Sequence, residues 1–186
     1  MCGVLGLVAH EPVNQLLYDG LQMLQHRGQD AAGIVTVEGN VFHMHKGKGM
    51  VRDVFRTRNM RDLLGNMGIG HVRYPTAGNV DCLEEAQPFY VNAPYGLTLA
   101  HNGNLTNTDE IRDELFRLDK RHTNTGSDSE VLLNVLAHEL SVAIADRYGL
   151  RAEHFFIAMR LVNARIRGAY ACVGMVAGLG VFGFRD

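Results

Sequence analysis

The sequence predicts an α+β fold, with sheets covered by helices. Three observations carry this expectation. Short β-like runs dominate roughly the first hundred residues, helical periodicity takes over from residue 109, and too few helices separate the strands for a doubly wound sheet.

In chain order, residues 3–9 read as an opening strand. Val13, Leu17, Leu21 and Leu24 then recur at helical spacing over residues 13–26, and Gly28 closes that helix. Strands over 33–38 and 41–46 flank Gly39-Asn40, two residues that tolerate positive φ and so predict a tight hairpin. Residues 50–64 read as a second, broken helix, followed by strands over 68–74, 88–92 and 97–101. Ile111, Leu115 and Leu118 share one face of a helix over 109–118. A long, strongly apolar helix over 129–148 keeps Leu132, Leu136, Leu140 and Ala143 in step, and 155–167 repeats the pattern with Met159, Val162 and Ile166. Strands over 169–177 and 180–184, split by Gly178, follow. The ending Val-Phe-Gly-Phe-Arg185-Asp186 reads as a strand cut within a longer protein.

Composition narrows the function classes. A chain of 186 residues, 46% hydrophobic and 20% charged, is long enough for one globular domain with a substantial core. Its formal net charge of -2, without blocks of like charge, points to neither nucleic acid nor a membrane surface as partner. Cys2, Cys82 and Cys172 are too few and too scattered for a disulfide framework and suit a reducing compartment. No segment approaches a membrane span, and the first Lys or Arg is Arg27, so the opening lacks the charged leader of a secretory signal. A cytoplasmic location is expected, and with it no glycosylation at Asn104-Leu-Thr106.

Cys2 directly follows Met1 and is the strongest chemical signal. Small residues at position two permit Met removal, which would leave one residue carrying both a thiol and a free amine. An α-amine titrates near about 7.7–8.0 and is within reach of its own thiol without help from folding.

Three polar, Gly-containing segments then interrupt the apolar pattern: 70–78, 101–106 and 125–130. Arg73 has a fork of donors suited to a bidentate carboxylate, or to a salt bridge at a strand end. Asn102-Gly103 reads first as a turn. The alternative is an amide side chain beside an unhindered N–H, both aimed at a developing oxyanion. Ser127-Asp-Ser-Glu130 matches a capping box, in which Asp128 either serves the helix dipole or receives a ligand ammonium. Gly178-Leu-Gly180-Val-Phe-Gly183 has dinucleotide-loop spacing but no helix after it. His43 and His45 share a strand face without the partners that complete a metal site, so no metal is expected here.

Together these segments resemble a class II glutamine amidotransferase domain of the N-terminal-nucleophile hydrolase type. The residues that carry the likeness are Met-Cys2-Gly, His26-Arg-Gly-Gln-Asp-Ala-Ala-Gly33, the Arg73 segment, His101-Asn-Gly-Asn104 and Ser127-Asp-Ser129-Glu130. Gly70-His-Val-Arg-Tyr-Pro-Thr-Ala-Gly78 and Ala86-Gln-Pro-Phe-Tyr90 are similar to the amidophosphoribosyltransferase branch; the aminosugar synthase branch usually has Trp after the Arg and His where Ala77 stands.

The resemblance implies a four-layer αββα sandwich of two largely antiparallel sheets. It implies glutamine as substrate, attacked by Cys2 with its own amine as base, and an oxyanion hole from Asn102 and Gly103. Arg73 would hold the α-carboxylate and Asp128 the α-ammonium, and the segment from Arg73 into the eighties, with Thr76, would close over glutamine. Arg27 and Gly28 would shape the floor beside Cys2. It further implies that residues 1–186 are one glutaminase domain without a cofactor of its own. A C-terminal phosphoribosyltransferase domain, which would bind Mg²⁺, would lie outside this chain, and the full-length protein would be a homo-oligomer. Competing expectations are a glutaminase domain of the aminosugar synthase type, another N-terminal-cysteine amidase, and a catalytically silent glutamine sensor.

Overall fold

The computed structural model describes residues 1–74, 83–144 and 149–186. Two four-stranded sheets form its centre. The first runs β1(Gly3–Val8), β4(Met67–Arg73), β2(Ala31–Glu38), β3(Val41–Lys48) from edge to edge. The second runs β5(Phe89–Val91), β6(Leu97–Leu105), β7(Gly168–Val176), β8(Gly180–Arg185). Neighbouring strands in both are antiparallel.

Alternation along each strand builds the layers. On β2 and β4, Val35, Val37 and Ile69 meet Ala100 and Met175 of the second sheet in an apolar seam. On their other faces, Ile34 and Val72 pack against Val13, Leu17 and Leu21 of the α1(Asn14–Met23) region, with α2(Val51–Val54) closing that side. Leu97, Leu99 and Leu105 of β6 point outward into a larger core under α4(Thr108–Arg117), α5(Asp128–Ile144) and α6(Ala152–Arg165). The expected four-layer αββα sandwich is the fold.

Periodicity placed these elements to within a few residues. The broken helix over 50–64 is two short helices, α2 and α3(Thr57–Asp62). The long apolar helix starts at Asp128 and is described to Ile144; residues 145–148 of the expected 129–148 range lie outside the described residues. Two local readings are corrected. Asn102-Gly103 is not a turn: β6 runs on to Leu105 and pairs Asn102 with Ala171 and Gly103 with Tyr170, so the ladder overrides the local preference. Glu130 does not reach back to Ser127 N–H. Its carboxylate accepts the N–H groups of Asn124 and Thr125, both at 2.7 Å, while Ser127 Oγ accepts Ser129 N–H at 3.3 Å.

Polar side chains interrupt the core near one end of the sandwich. His71 of β4 is fully buried, and neither ring nitrogen has a hydrogen-bond partner among the described residues. Burial pushes its pKa down to about 3, reinforced by the charges of His101, Arg73 and Lys46. Cys172 of β7 is buried in the outer core, which raises its thiol pKa well above the usual range.

The depressed His71 pKa gives a pH dependence of stability. Above about pH 6.5 neither folded nor unfolded chain protonates this residue. Below it only the unfolded chain does, so folding weakens as pH falls toward about 3, by roughly 1.4 kcal/mol per unit. His71→Leu should therefore flatten the decline of Tm between about pH 6.5 and 4, read by thermal unfolding across that range; an unchanged slope contradicts this account.

Candidate active site

Cys2 sits immediately before β1 and is held from three directions. Its backbone N–H donates to Asn102 Oδ1 at 3.0 Å, across the gap between the two sheets. Its carbonyl accepts Arg27 Nε at 3.0 Å, and its Sγ accepts Tyr74 N–H at 3.5 Å. The Cys2–Asn102 bond also orients the carboxamide: Oδ1 is the accepting end, which leaves Nδ2 as the donor.

The segment after α1 supports this arrangement from behind. Gln25 ties it down by donating to Gly28 O at 2.6 Å and accepting Val51 N–H at 2.8 Å. Asp30 N–H donates to Arg73 O at 3.1 Å. Gly28 lies so close to the Arg73 backbone that any Cβ there would overlap it.

Cys2, Arg73, Asn102, Gly103 and Asp128 all line one cavity of about 660 Å³. Five residues singled out in the sequence are thus brought together from the start of the chain, β4, β6 and α5. Arg27 and Gly28 are not among the residues that line the cavity; they brace Cys2 and Arg73 instead. Thr76, with Pro75, Ala77, Gly78 and Cys82, lies outside the described residues.

Asp128 is the first residue of α5 and only 23% of its side chain is exposed. Burial pushes its pKa up, but hydrogen bonds and charge from His101, the Leu105 N–H at 3.0 Å and the Ser129 hydroxyl at 3.3 Å prevail and hold it below the ordinary carboxylate range. A hydroxyl relay explains the geometry. Gln87 Nε2 and His101 Nδ1 each lie 3.0 Å from Ser129 Oγ, so both donate to it and its own proton is left for Asp128. Gln87 Oε1 in turn accepts His101 N–H at 2.6 Å.

Arg73 is 9% exposed and already engaged: Nη2 meets Glu85 Oε2 at 2.7 Å and Nη1 meets Asp30 Oδ2 at 3.3 Å. Glu85, Gln87, His101 and Ser129 also line the cavity, and sequence reasoning assigned none of them a role there. His101 and Ser129 stood inside recognised motifs and could have been flagged. Glu85 carried no local signal. No group of three or more His, Cys, Asp or Glu side chains among the described residues is placed to hold a metal ion.

The arrangement offers a nucleophilic sulfur, an amide donor beside it, a guanidinium and an ionised carboxylate around one cavity. Comparison with known proteins agrees. Residues 71–173 match the family model described as a glutamine amidotransferase domain. The chain is 57% identical to the amidophosphoribosyltransferase of Escherichia coli and 56% identical to that of Pseudomonas aeruginosa; each match covers 100% of this chain and 36% of the relative. The structure of the Bacillus subtilis glutamine phosphoribosylpyrophosphate amidotransferase, solved with ADP and GMP, superposes with a TM-score of 0.77 at 31% identity over 95% of this chain and 35% of that one. The chain therefore spans about a third of the length of the curated relatives it matches.

Gly103 has φ +156°, and a Cβ there would overlap Ala169 O and the Tyr170 backbone. Gly103→Ala should cost about 1–3 kcal/mol through this overlap. That corresponds to roughly 2–4 °C of Tm per kcal/mol for a chain of this size, measured by calorimetry.

Proposed function

Because the chain belongs to the class II glutamine amidotransferase family, we propose that it hydrolyses L-glutamine to glutamate and ammonia through a γ-glutamyl thioester on Cys2. The ammonia would aminate phosphoribosyl pyrophosphate in a phosphoribosyltransferase domain of the same protein, as the likeness to amidophosphoribosyltransferases supports. Any Mg²⁺ would serve that domain's pyrophosphate substrate. A cytoplasmic homo-oligomer belongs to the same reading.

The observation that carries the proposal is the 3.0 Å bond from Cys2 N to Asn102 Oδ1, which sets the sulfur and the Asn102 amide on one cavity with Arg73 and Asp128. Removal of Met1 would turn the Cys2 nitrogen from an amide into an amine. That amine takes the thiol proton as the sulfur attacks the glutamine Cδ. Asn102 Nδ2 and Gly103 N–H stabilise the resulting oxyanion, a type of donor worth about 10²–10³ in rate. The ammonium then returns its proton to the departing nitrogen, the C–N bond breaks and ammonia leaves. A water molecule attacks the thioester carbonyl, with the same amine as base, and glutamate is released with the thiol restored. Arg73 would hold the substrate carboxylate. Asp128, kept ionised chiefly by His101 and then by the Leu105 N–H and the Ser129 hydroxyl, would hold its ammonium.

Intact-mass analysis combined with labelling by a glutamine-like electrophile tests maturation and nucleophile together. One adduct on demethionylated protein, at Cys2, is expected. Cys2→Ala should abolish both the adduct and ammonia release, and ammonia release that survives the substitution refutes the mechanism. Asp128→Asn should raise the KM for glutamine about 10–100-fold and change kcat less, since it removes a charge-assisted contact, as steady-state glutaminase assays would read.

A further inference from the structure

Arg73 is flanked by two carboxylates before any substrate arrives. Glu85 lies at 2.7 Å and Asp30 at 3.3 Å, with side chains of the three residues only 9%, 12% and 14% exposed for Arg73, Glu85 and Asp30. These three side chains by themselves sum to one negative charge, and both Nη groups of Arg73 are already taken. A third carboxylate entering this poorly hydrated corner would be repelled, so one of the two must yield.

The backbone around each carboxylate indicates which. Asp30 belongs to the framework: its N–H donates to Arg73 O at 3.1 Å, its carbonyl accepts Gly49 N–H at 2.8 Å, and β2 begins at the next residue. Glu85 ends a single 3-10 turn, Leu83–Glu85, closed by Ala86 N–H to Leu83 O at 3.0 Å. Its other oxygen, Oε1, faces Gly126, where a Cβ would sit 3.8 Å away. The Glu85 carboxylate thus reaches across the cavity from Arg73 toward the 126–128 wall that presents Asp128. An amino-acid head spanning Arg73 and Asp128 must pass through that space.

We propose that Glu85 is a place-holding carboxylate, which occupies the Arg73 fork in the free chain and is exchanged for the α-carboxylate of the substrate. The proposal rests on the reading of Arg73 as the carboxylate-holding residue. The exchange keeps Nη2 of the buried guanidinium paired with a carboxylate in both states, while Asp30 stays on Nη1. It also makes Glu85 a specificity device. A ligand with a carboxylate replaces one strong ion pair by another, whereas a ligand with a neutral amide in that position cannot compensate the lost pair. Glu85 is a positioning residue by this account, acting through Arg73.

The test is steady-state glutamine hydrolysis by the intact protein and its Glu85→Gln variant, with L-glutamine and its α-carboxamide as substrates and L-glutamate as inhibitor. Weakening the resident competitor should lower the KM for glutamine about 5–20-fold, leave kcat within about twofold, and tighten inhibition by glutamate in parallel. An unchanged or raised KM with preserved preference for glutamine over its carboxamide overturns the exchange alone. A wild-type protein that hydrolyses both substrates equally well removes the reading of Arg73 and the exchange with it. Should Glu85→Gln fold poorly, a structure of the Cys2→Ala protein with glutamine bound decides. Opening of the Arg73–Glu85 pair beyond about 4 Å with Arg73–Asp30 retained supports the exchange, and an intact pair beside bound glutamine refutes it.

Discussion

The site depends on one hydrogen bond between the sheets. Cys2 lies at the start of an edge strand of the first sheet and Asn102 on a central strand of the second; a 3.0 Å contact joins them. Asn102 is fixed by pairing of β6 with β7, and Cys2 is tethered to the next residue, Gly3, which pairs with Val72 of β4. The contact therefore needs no ordering of flexible side chains at the moment of reaction, and reacting groups gain most from being held beforehand. The apolar seam of Val35, Ile69, Ala100 and Met175 sets the spacing at which the contact forms. Packing in the middle of the sandwich thus determines geometry at its end.

Charge is organised around that contact in two unlike ways. Asp128 is stabilised as an anion chiefly by the adjacent His101, with the Leu105 N–H and the Ser129 hydroxyl adding to it. Arg73 is instead neutralised, and more, by Glu85 and Asp30. One end of the cavity offers a ready negative charge, and the other offers a positive charge only to a ligand able to replace a carboxylate. Such asymmetry favours a zwitterion over a simple amine or a simple amide.

Much of the fold was legible because burial in a layered sandwich writes regular periods into the chain. Leu132, Leu136 and Leu140 mark α5, and Val13, Leu17 and Leu21 mark the α1 face, by spacing alone. Failures occurred where a local signal competed with a distant one. Asn102-Gly103 has the composition of a hairpin turn, yet its partners, Ala171 and Tyr170, lie about seventy residues away and draw it into a ladder. Glu130 was expected to cap its own helix and instead satisfies loop N–H groups at Asn124 and Thr125. The cavity residues were legible as residue types in motifs, Cys2, Arg73, Asn102 and Asp128 among them. Glu85 was not, because its meaning comes only from the guanidinium that folding sets beside it.

The buried thiol at Cys172 bears on how the molecule ages. Held protonated by its apolar surroundings, it is a poor target for peroxide or electrophiles, since the thiolate is the reactive form. Cys2 is only half-buried, opens onto the cavity, and among the described residues accepts the Tyr74 N–H at sulfur at 3.5 Å. Of the two described cysteines, oxidative damage would thus fall first on the one that opens onto the cavity and spare the one held in the core.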